Sequence, residues 1–227
     1  MTRKLVHLLK RSADEDVAAF QAALLQLRGA DPAAPEGLAY SQSHTLLKGY
    51  ARGDLLFDAV EEFAFPAAEA CRAFAGSAAY AALWQRRLPA IDKRRSHVME
   101  VEVHRVKDEA LPEDAVINIE FVTYRPGMAL EPFRRYWREV HGPLAATIPS
   151  VLRYEQNHTV LEAYDRPDLP RYDGLAITWF ESTQAMREGA ETEAYRLTRA
   201  DEPNFLPDGH LPIIIVREVI GAHTGMR

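Results

Sequence analysis

The sequence predicts an α+β fold built from two tandem units, each with the order strand, helix, strand, strand, helix, strand. Self-similarity over half a chain indicates a duplicated unit, and apolar residues change between strand and helix spacing in the same order in both halves. The clearest duplicated motif is written twice, as Tyr40-x-Gln42-x-His44-Thr45-x-Leu47 and as Tyr154-x-Gln156-x-His158-Thr159-x-Leu161.

The elements of each half follow from apolar periodicity and from the prolines and glycines between the periodic runs. In the first half we expect strands at 5–9, 38–47, 54–65 and 97–106 and helices at 14–27 and 66–87. In the second half we expect strands at 116–124, 152–161, 172–180 and 211–219 and helices at 130–148 and 183–199. The charged stretch 107–114 predicts a linker, so the domains are expected at 1–110 and 115–227.

This element order is typical of a ferredoxin-like unit, in which two helices cover one face of a four-stranded antiparallel sheet. The uncovered face of such a sheet needs an apolar partner. We therefore expect the two sheets to pack into an α/β barrel within the chain, as a homodimer would do with two chains. A further homodimer of whole chains is also possible.

The composition excludes several classes of protein. The chain has 227 residues, 47% of them hydrophobic and 26% charged, which is enough for a sizeable core. Its net charge of −6 and its lack of a basic stripe argue against a nucleic-acid partner. Cys71 is the only cysteine, which excludes an intrachain disulfide and a paired-cysteine zinc site. The apolar run at 5–9 is too short for a membrane span or a signal-peptide core, so we expect a cytoplasmic protein without a membrane partner.

Other catalytic and binding motifs are missing from the sequence. It has no glycine loop for phosphate, no Gly-x-Ser-x-Gly and no histidine pair at metal-helix spacing. We therefore expect no metal site and no phosphate-binding loop.

The helix that begins near Leu130 contains the strongest candidate for a functional residue, His141. Pro143 lacks a backbone donor and predicts a bend or break just after His141. Burial would favour a neutral imidazole there, whereas a helix end would favour the imidazolium. On spacing alone, a buried histidine bonded to a backbone carbonyl is the commoner case. Helical spacing places the following residues on one face: Phe133, Trp137, Val140, His141 and Leu144.

Several short motifs in the second half together resemble the EthD family of the dimeric α/β-barrel superfamily, and the resemblance covers residues 115–220. It implies a ligand cavity between sheet and helices and mostly cofactor-independent chemistry on small hydrophobic or aromatic molecules. The motifs are Arg125-Pro126-Gly127-Met128, Phe133-x-x-Tyr136-Trp137-x-x-x-His141-Gly142-Pro143-Leu144-Ala145, Tyr154-x-Gln156-Asn157-His158, Tyr172-Asp173-Gly174 with Trp179-Phe180, and Asp201-Glu202-x-Asn204-Phe205.

The resemblance also implies roles for individual residues. The family's helical histidine corresponds to His141, its strand Asn-His to Asn157 and His158, and its acidic motif to Asp201. The matching helix of the first half, 21–28, has no histidine, so we expect one complete site, in the second half.

Two of these assignments have structural alternatives. Tyr154, Gln156 and His158 project to one side of their strand, where they would form either a polar ladder or part of a pocket. Asp201 either ends a solvated helix or orients a histidine or a substrate hydroxyl. Glu120, in an apolar strand, is a lesser candidate as a buried carboxylate.

These inferences lead to a cofactor-independent enzyme in which His141, with His158 and Asp201 as further catalytic candidates, transfers a proton on a small apolar or aromatic carbonyl or hydroxyl compound. Dehydration, elimination or isomerisation is the main expectation. The alternatives are an oxygenase or haem-dependent oxidoreductase, and a non-catalytic binding protein. The expected substrate-binding residues are Tyr136, Trp137, Tyr154, Asn157, Trp179, Phe180 and Phe205.

Overall fold

The computed structural model describes residues 2–29 and 38–221. The chain divides into two compact units. Unit 1 consists of Met1–Val101 and Val216–Arg227, and unit 2 consists of Glu102–Ile215. In the described residues, no helix is both long and apolar enough to cross a membrane.

Eight strands and seven α-helices occur in the described residues, in the predicted order. The strands are β1 (Arg3–Leu9), β2 (Ala39–Thr45), β3 (Ala59–Phe65), β4 (His97–Asp108), β5 (Val116–Val122), β6 (Arg153–Thr159), β7 (Gly174–Phe180) and β8 (Ile213–Ile220). The helices are α1 (Val17–Gly29), α2 (Ala68–Ala75), α3 (Ala78–Arg87), α4 (Leu130–Tyr136), α5 (Gly142–Ala145), α6 (Thr183–Ala190) and α7 (Glu193–Asp201).

Each unit has an antiparallel sheet with its third strand between the first two. In unit 1, β3 pairs with β1 on one side and with β2 on the other, and the unit 1 part of β8 pairs with β2. In unit 2, β7 pairs with β5 and β6, and the unit 2 part of β4 lies next to β6. The predicted fold class, two tandem ferredoxin-like βαββαβ units, is confirmed.

The helices predicted at 66–87 and 183–199 are each divided into two. Ser77 caps α3 by accepting the backbone N–H of Tyr80 at 3.1 Å, and Thr192 caps α7 by accepting that of Tyr195 at 3.2 Å. Hydroxyl side chains favour such capping positions over helix interiors, which is why each long helix restarts there.

The duplicated motif has the same structural role in both units. The backbone N–H of Thr45 donates to the carbonyl of Asp58 at 3.2 Å, and that of Thr159 donates to the carbonyl of Asp173 at 2.9 Å. Both aspartates also accept a tyrosine hydroxyl at 2.6 Å. The threonine end of the motif therefore ties the second strand of each unit to the start of the third.

The core of unit 2 lies between its sheet and its helices and is centred on Trp137, which is 1% exposed. Gly174 makes room for this indole. A Cβ at Gly174 would lie 2.7 Å from Trp137 Cζ3 and 2.6 Å from the backbone oxygen of Asn157. A glycine is therefore required at this position in β7, because the backbone oxygen cannot move aside cheaply.

Candidate active site

A cavity of about 260 Å³ lies inside unit 2, between the sheet and the helices. Most of its wall is apolar. The sheet contributes one side through β5, β6 and β7, and the helices contribute the other through the segment that holds His141 and through α6 and α7. The main apolar lining residues are Val122, Ala176, Phe180, Met186, Phe205 and Leu211.

His141 reaches the cavity from an irregular turn of helix. The predicted helix at 130–148 is α4, then a π-helical turn at Trp137–His141, then α5. The carbonyl of Trp137 accepts the N–H of Gly142, five residues on, and also the Nε2 amide of Gln156 at 2.6 Å. Pro143 cannot donate to the previous turn, and the wider π turn accommodates that missing bond.

The extra residue in this turn changes which side chains face the core. Val140 is 46% exposed, so its predicted place on the buried face is wrong. His141 remains buried at 7% exposure, and its ring packs 4.6 Å from that of Phe205. A π turn advances the chain by less angle per residue than an α turn, which rotates Val140 outward.

Asp201 at the end of α7 holds His141 in one orientation. His141 Nδ1 lies 2.9 Å from Asp201 Oδ2. The other carboxylate oxygen accepts the Tyr136 hydroxyl at 2.5 Å and the Asn204 amide at 3.0 Å. Burial opposes the charge on Asp201, but these three hydrogen bonds outweigh burial and keep its pKa below the usual range.

The protonation state of His141 follows from this contact. Burial lowers the pKa of His141, and Asp201 offsets only part of that effect. The ring is therefore neutral near pH 7, and because an ionised carboxylate only accepts, Nδ1 carries the proton. In the described part of the chain, Nε2 of His141 has no hydrogen-bond partner, and it is not sealed from solvent. Its lone pair is available to a molecule in the cavity.

Tyr154 brings a hydrogen-bond donor to the same cavity. Its hydroxyl accepts from Trp137 Nε1 at 3.0 Å and from Gln156 Nε2 at 3.3 Å. A hydroxyl has two lone pairs and one hydrogen. Both lone pairs of the Tyr154 hydroxyl accept hydrogen bonds, so its hydrogen remains available to a ligand. Burial raises the pKa of Tyr154, so the hydroxyl stays protonated.

A polar region of the wall contains two carboxyl groups. Glu120 of β5 accepts from Asn118 Nδ2 at 3.2 Å, and burial raises the pKa of Glu120. Glu202 follows α7 and pairs with Arg199. Burial raises the pKa of Glu202 to about 7; Arg199 opposes this increase and the charge of Glu120 adds to it. Glu202 is therefore partly protonated near neutral pH, and burial shifts the pKa of Glu120 in the same direction.

The structure places the predicted site residues in three groups. Five line the cavity: Trp137, His141, Tyr154, Phe180 and Phe205. Asp201 does not line the cavity but contacts His141 directly. Tyr136 does not line it either, and it reaches His141 only through its hydrogen bond to Asp201. His158, Asn157 and Trp179 lie outside its lining.

Strand geometry and ring packing account for the positions of Trp179 and His158 outside the cavity. Neighbouring residues of a strand face opposite sides, so Trp179 points away from the side that Phe180 lines, and the Arg153 guanidinium lies 5.7 Å from its ring. His158 packs 4.3 Å from the Trp137 ring and 4.9 Å from that of His104. Burial, with the charge of Arg134 adding to it, lowers the pKa of His158 to about 2.

Several polar residues of the wall have no role in the sequence-based site, among them Asn118, Thr178, Arg199 and Glu202. Asn118 and Glu120 interrupt an otherwise apolar strand at alternate positions, which was the available signal for a polar surface on one side of β5. Glu202 and Arg199 carried no such signal, because charged residues are common at exposed helix ends.

The corresponding position in unit 1 is filled with side chains. In unit 1 the strand register places His7 opposite Glu61. The corresponding pair in unit 2 is Glu120 opposite Ala176. His7 Nδ1 is 3.1 Å from Glu61 Oε2, and Arg87 NH2 donates to Glu61 Oε1 at 2.6 Å. All three side chains are fully buried. A large ionic network thus occupies the space that Ala176 leaves open in unit 2.

A metal has no evident place in the described residues, which contain no group of three or more His, Cys, Asp or Glu side chains arranged to hold an ion. The polar groups at the cavity include His141, which is hydrogen-bonded to the Asp201 carboxylate, together with Tyr154, Glu120 and Glu202.

Comparisons with known proteins give a domain match in unit 2 and structures of similar fold. The model of the EthD domain matches residues 125–208. No curated protein matches the sequence. Solved structures of similar fold cover nearly the whole chain, although sequence identity is low. An anthrone oxidase-like protein has a TM-score of 0.62 and 13% identity, over 99% of this chain and 93% of that one.

Two further structures extend this likeness. A Lactobacillus acidophilus protein named "putative monooxygenase" has a TM-score of 0.58 and 14% identity, over 99% of this chain and 97% of that one. A "putative chlorite dismutase" has a TM-score of 0.55 and 11% identity, over 99% and 98%. At these identities the likeness shows the fold alone. The chain shares the α+β fold of these structures, and its residues 125–208, which include His141 and Asp201, match the model of the EthD domain.

Proposed function

We propose that unit 2 is a cofactor-independent enzyme site in which His141 removes a proton from a small, mainly apolar substrate. The observation that carries this proposal is the pair of His141 and Asp201 at the cavity wall, with Nδ1 bonded to the carboxylate and Nε2 without a partner in the described residues. A neutral imidazole oriented in this way is a general base. Its lowered pKa supports the role, since the lone pair is present at neutral pH.

Tyr154 would stabilise the charge that this step creates. Removing a proton next to a carbonyl leaves a negative charge on the carbonyl oxygen, and a preorganised donor in a dry site stabilises that charge. Tyr154 lines the cavity, and its hydroxyl accepts two hydrogen bonds and keeps its hydrogen to donate. The mainly apolar lining selects a substrate with a hydrocarbon ring system.

We propose dioxygen as the reaction partner of the resulting carbanion. Oxidation of a methylene follows R₂CH₂ + O₂ → R₂C=O + H₂O, and it needs no external reductant because carbon supplies all four electrons. His141 takes the first proton and returns it to the peroxide. Loss of the second C–H proton then breaks the O–O bond, leaving a carbonyl and water. The printed names of two structures of similar fold, an anthrone oxidase-like protein and a monooxygenase, favour this partner.

Elimination or isomerisation is a second candidate. It would share the first step but use no oxygen. The raised pKa of Glu120 and Glu202 favours it, since a protonated carboxyl group could donate to a departing hydroxyl.

A haem does not fit the cavity. A histidine bonded to a carboxylate suits an axial ligand, but the volume of about 260 Å³ lies below the ~300–1,000 Å³ of pockets for drug-sized molecules. The proposed chemistry therefore involves no haem.

Oxygen uptake separates the two candidate reactions. We expect the purified protein to consume one O₂ for each molecule of 2-tetralone, or of another two-ring ketone, that it converts, and to incorporate one atom of ¹⁸O₂ into the new carbonyl. Conversion of these ketones to an isomer under argon, at the rate seen in air, would instead establish the second candidate. A protein that converts no acidic ketone under either gas would contradict both.

The pH profile of kcat/KM gives an independent test. Because burial lowers the pKa of His141, its neutral form predominates above a pKa that is lower than the usual histidine value. For oxygenation we expect kcat/KM to fall as pH drops below that pKa and to level off above it. Elimination would also require a protonated acid, so kcat/KM would fall again above the pKa of about 7 of Glu202. A profile without the acidic limb would contradict a base with a lowered pKa.

A further inference from the structure

A second polar site in the same cavity, distinct from His141, is formed by Asn118 and Glu120 on β5. Asn118 is 9% exposed and donates through Nδ2 to Glu120. Its Oδ1 is buried and has no hydrogen-bond partner in the described residues. An unpaired buried acceptor of this kind is unfavourable, and a hydrogen-bond donor on a ligand would remove that cost.

The elements place this site on the other side of the cavity from the catalytic pair. Asn118 and Glu120 belong to the sheet, whereas His141 belongs to the helical segment. A flat molecule in the cavity would have the sheet on one side and the helices on the other. It could therefore present one group to His141 and another to Asn118.

The unpaired atom is an acceptor, so the ligand must supply a donor. A ketone, an ether or a carboxylate has no hydrogen to give to Asn118 Oδ1, whereas a hydroxyl has one. Glu120 beside it offers a second acceptor when ionised.

We propose that Asn118 and Glu120 bind a hydroxyl group of the substrate, and that the substrate class is therefore a hydroxyl-bearing fused-ring compound. The size of the cavity sets the ring system. An engineered cavity of about 150 Å³ holds benzene, so a cavity of about 260 Å³ accommodates roughly two fused rings. This inference rests on the proposed function only in treating this cavity as the substrate site.

Calorimetric titration with two matched probes tests the inference without turnover. The probes are 2-naphthol and 2-methoxynaphthalene, in which a methyl group replaces the hydroxyl hydrogen. We expect the wild-type protein to bind 2-naphthol roughly 3- to 10-fold more tightly, the range for one hydrogen bond. Equal affinity for the two probes would overturn the inference.

Three variants locate the hydroxyl. Asn118→Leu should abolish the preference, while His141→Gln should retain it. Asn157→Leu is the matched control, because Asn157 is also a buried asparagine without side-chain partners in the described residues but does not line the cavity. A preference that survives Asn118→Leu, or that His141→Gln removes, would place the hydroxyl elsewhere.

Glu120→Leu keeps the inference testable if Asn118→Leu does not fold. If the thermal transition of Asn118→Leu is lost, Glu120→Leu removes the neighbouring acceptor and should reduce the preference at least threefold; an unchanged preference would contradict the inference.

The inference about binding and the proposed function can fail independently of each other. A protein that selects 2-naphthol through Asn118 but converts no substrate refutes the proposed function alone, whereas turnover through His141 without this selection refutes the inference alone.

Discussion

Replacing His141 by glutamine is expected to reduce kcat by roughly 10²- to 10⁴-fold, the usual contribution of a general base. Glutamine preserves much of the side-chain volume and can still donate a hydrogen bond to Asp201, so the fold should change little. The loss should appear in kcat more than in KM, because the lone pair acts in the reaction and not in substrate binding. Turnover is measured with the ketone oxidised by the wild type, together with the thermal transition.

His158 supplies the matched control for this experiment. It is the other histidine that the sequence nominates as catalytic, but it packs on Trp137 and does not line the cavity. His158→Gln should therefore leave kcat within a few-fold of wild type. If His158→Gln loses as much activity as His141→Gln, the assignment of the base to His141 is wrong.

Asp201→Asn tests how the base is oriented. An asparagine can donate its amide N–H to Nδ1, which would move the imidazole proton to Nε2 and remove the lone pair from the cavity. The neighbouring Tyr136 hydroxyl and Asn204 amide would keep the side chain in place. We expect the activity of Asp201→Asn to fall toward that of His141→Gln.

Replacing Arg87 by methionine is expected to destabilise the protein by ~3–5 kcal/mol, because it leaves the Glu61 carboxylate buried without its strongest partner. Arg87 donates to Glu61 through NH2 at 2.6 Å and through Nε at 2.8 Å, and both side chains are fully buried. Burial favours the neutral acid, but hydrogen bonds from His7 and Arg87 outweigh it and lower the pKa of Glu61 to about 2. The thermal midpoint should drop by roughly 6–20 °C.

Two variants show whether the buried charge is the cause. Arg72→Met removes an exposed arginine that pairs with exposed Glu69, and it should change stability by less than about 1 kcal/mol. The double variant Glu61→Met with Arg87→Met leaves neither charge of this ion pair buried and should recover part of the loss. If the single and double variants are equally unstable, loss of packing rather than charge explains the effect.

Much of the fold could be predicted because it depends on local patterns. The duplicated motif and the alternation of apolar residues identified two units with the same element order, and all eight strands were expected close to their observed positions. Helix breaks were harder to predict. Ser77 and Thr192 begin new helices by capping them, and a side-chain bond to the backbone leaves no mark in the spacing of apolar residues.

The candidate site was predictable only in part. His141, Trp137 and Tyr154 were expected at the cavity and line it, while Asp201 was expected as a partner for a histidine and contacts His141. Trp179 was expected beside Phe180, although neighbouring strand residues face opposite sides. Resemblance identifies residues that occur together in a family, but strand geometry decides which of them share a surface.

The cavity itself has no signature in the sequence, for a physical reason. An open volume depends on the sizes of side chains that meet from distant elements. In unit 2, Ala176 leaves space opposite Glu120, whereas in unit 1 the matching strand position holds Glu61, buried with His7 and Arg87. Periodicity, duplication and family motifs established two related units and one asymmetric histidine. Three-dimensional packing established that unit 2 has an open cavity, that Asp201 orients His141 there, and that Asn118 and Glu120 lie in the same wall.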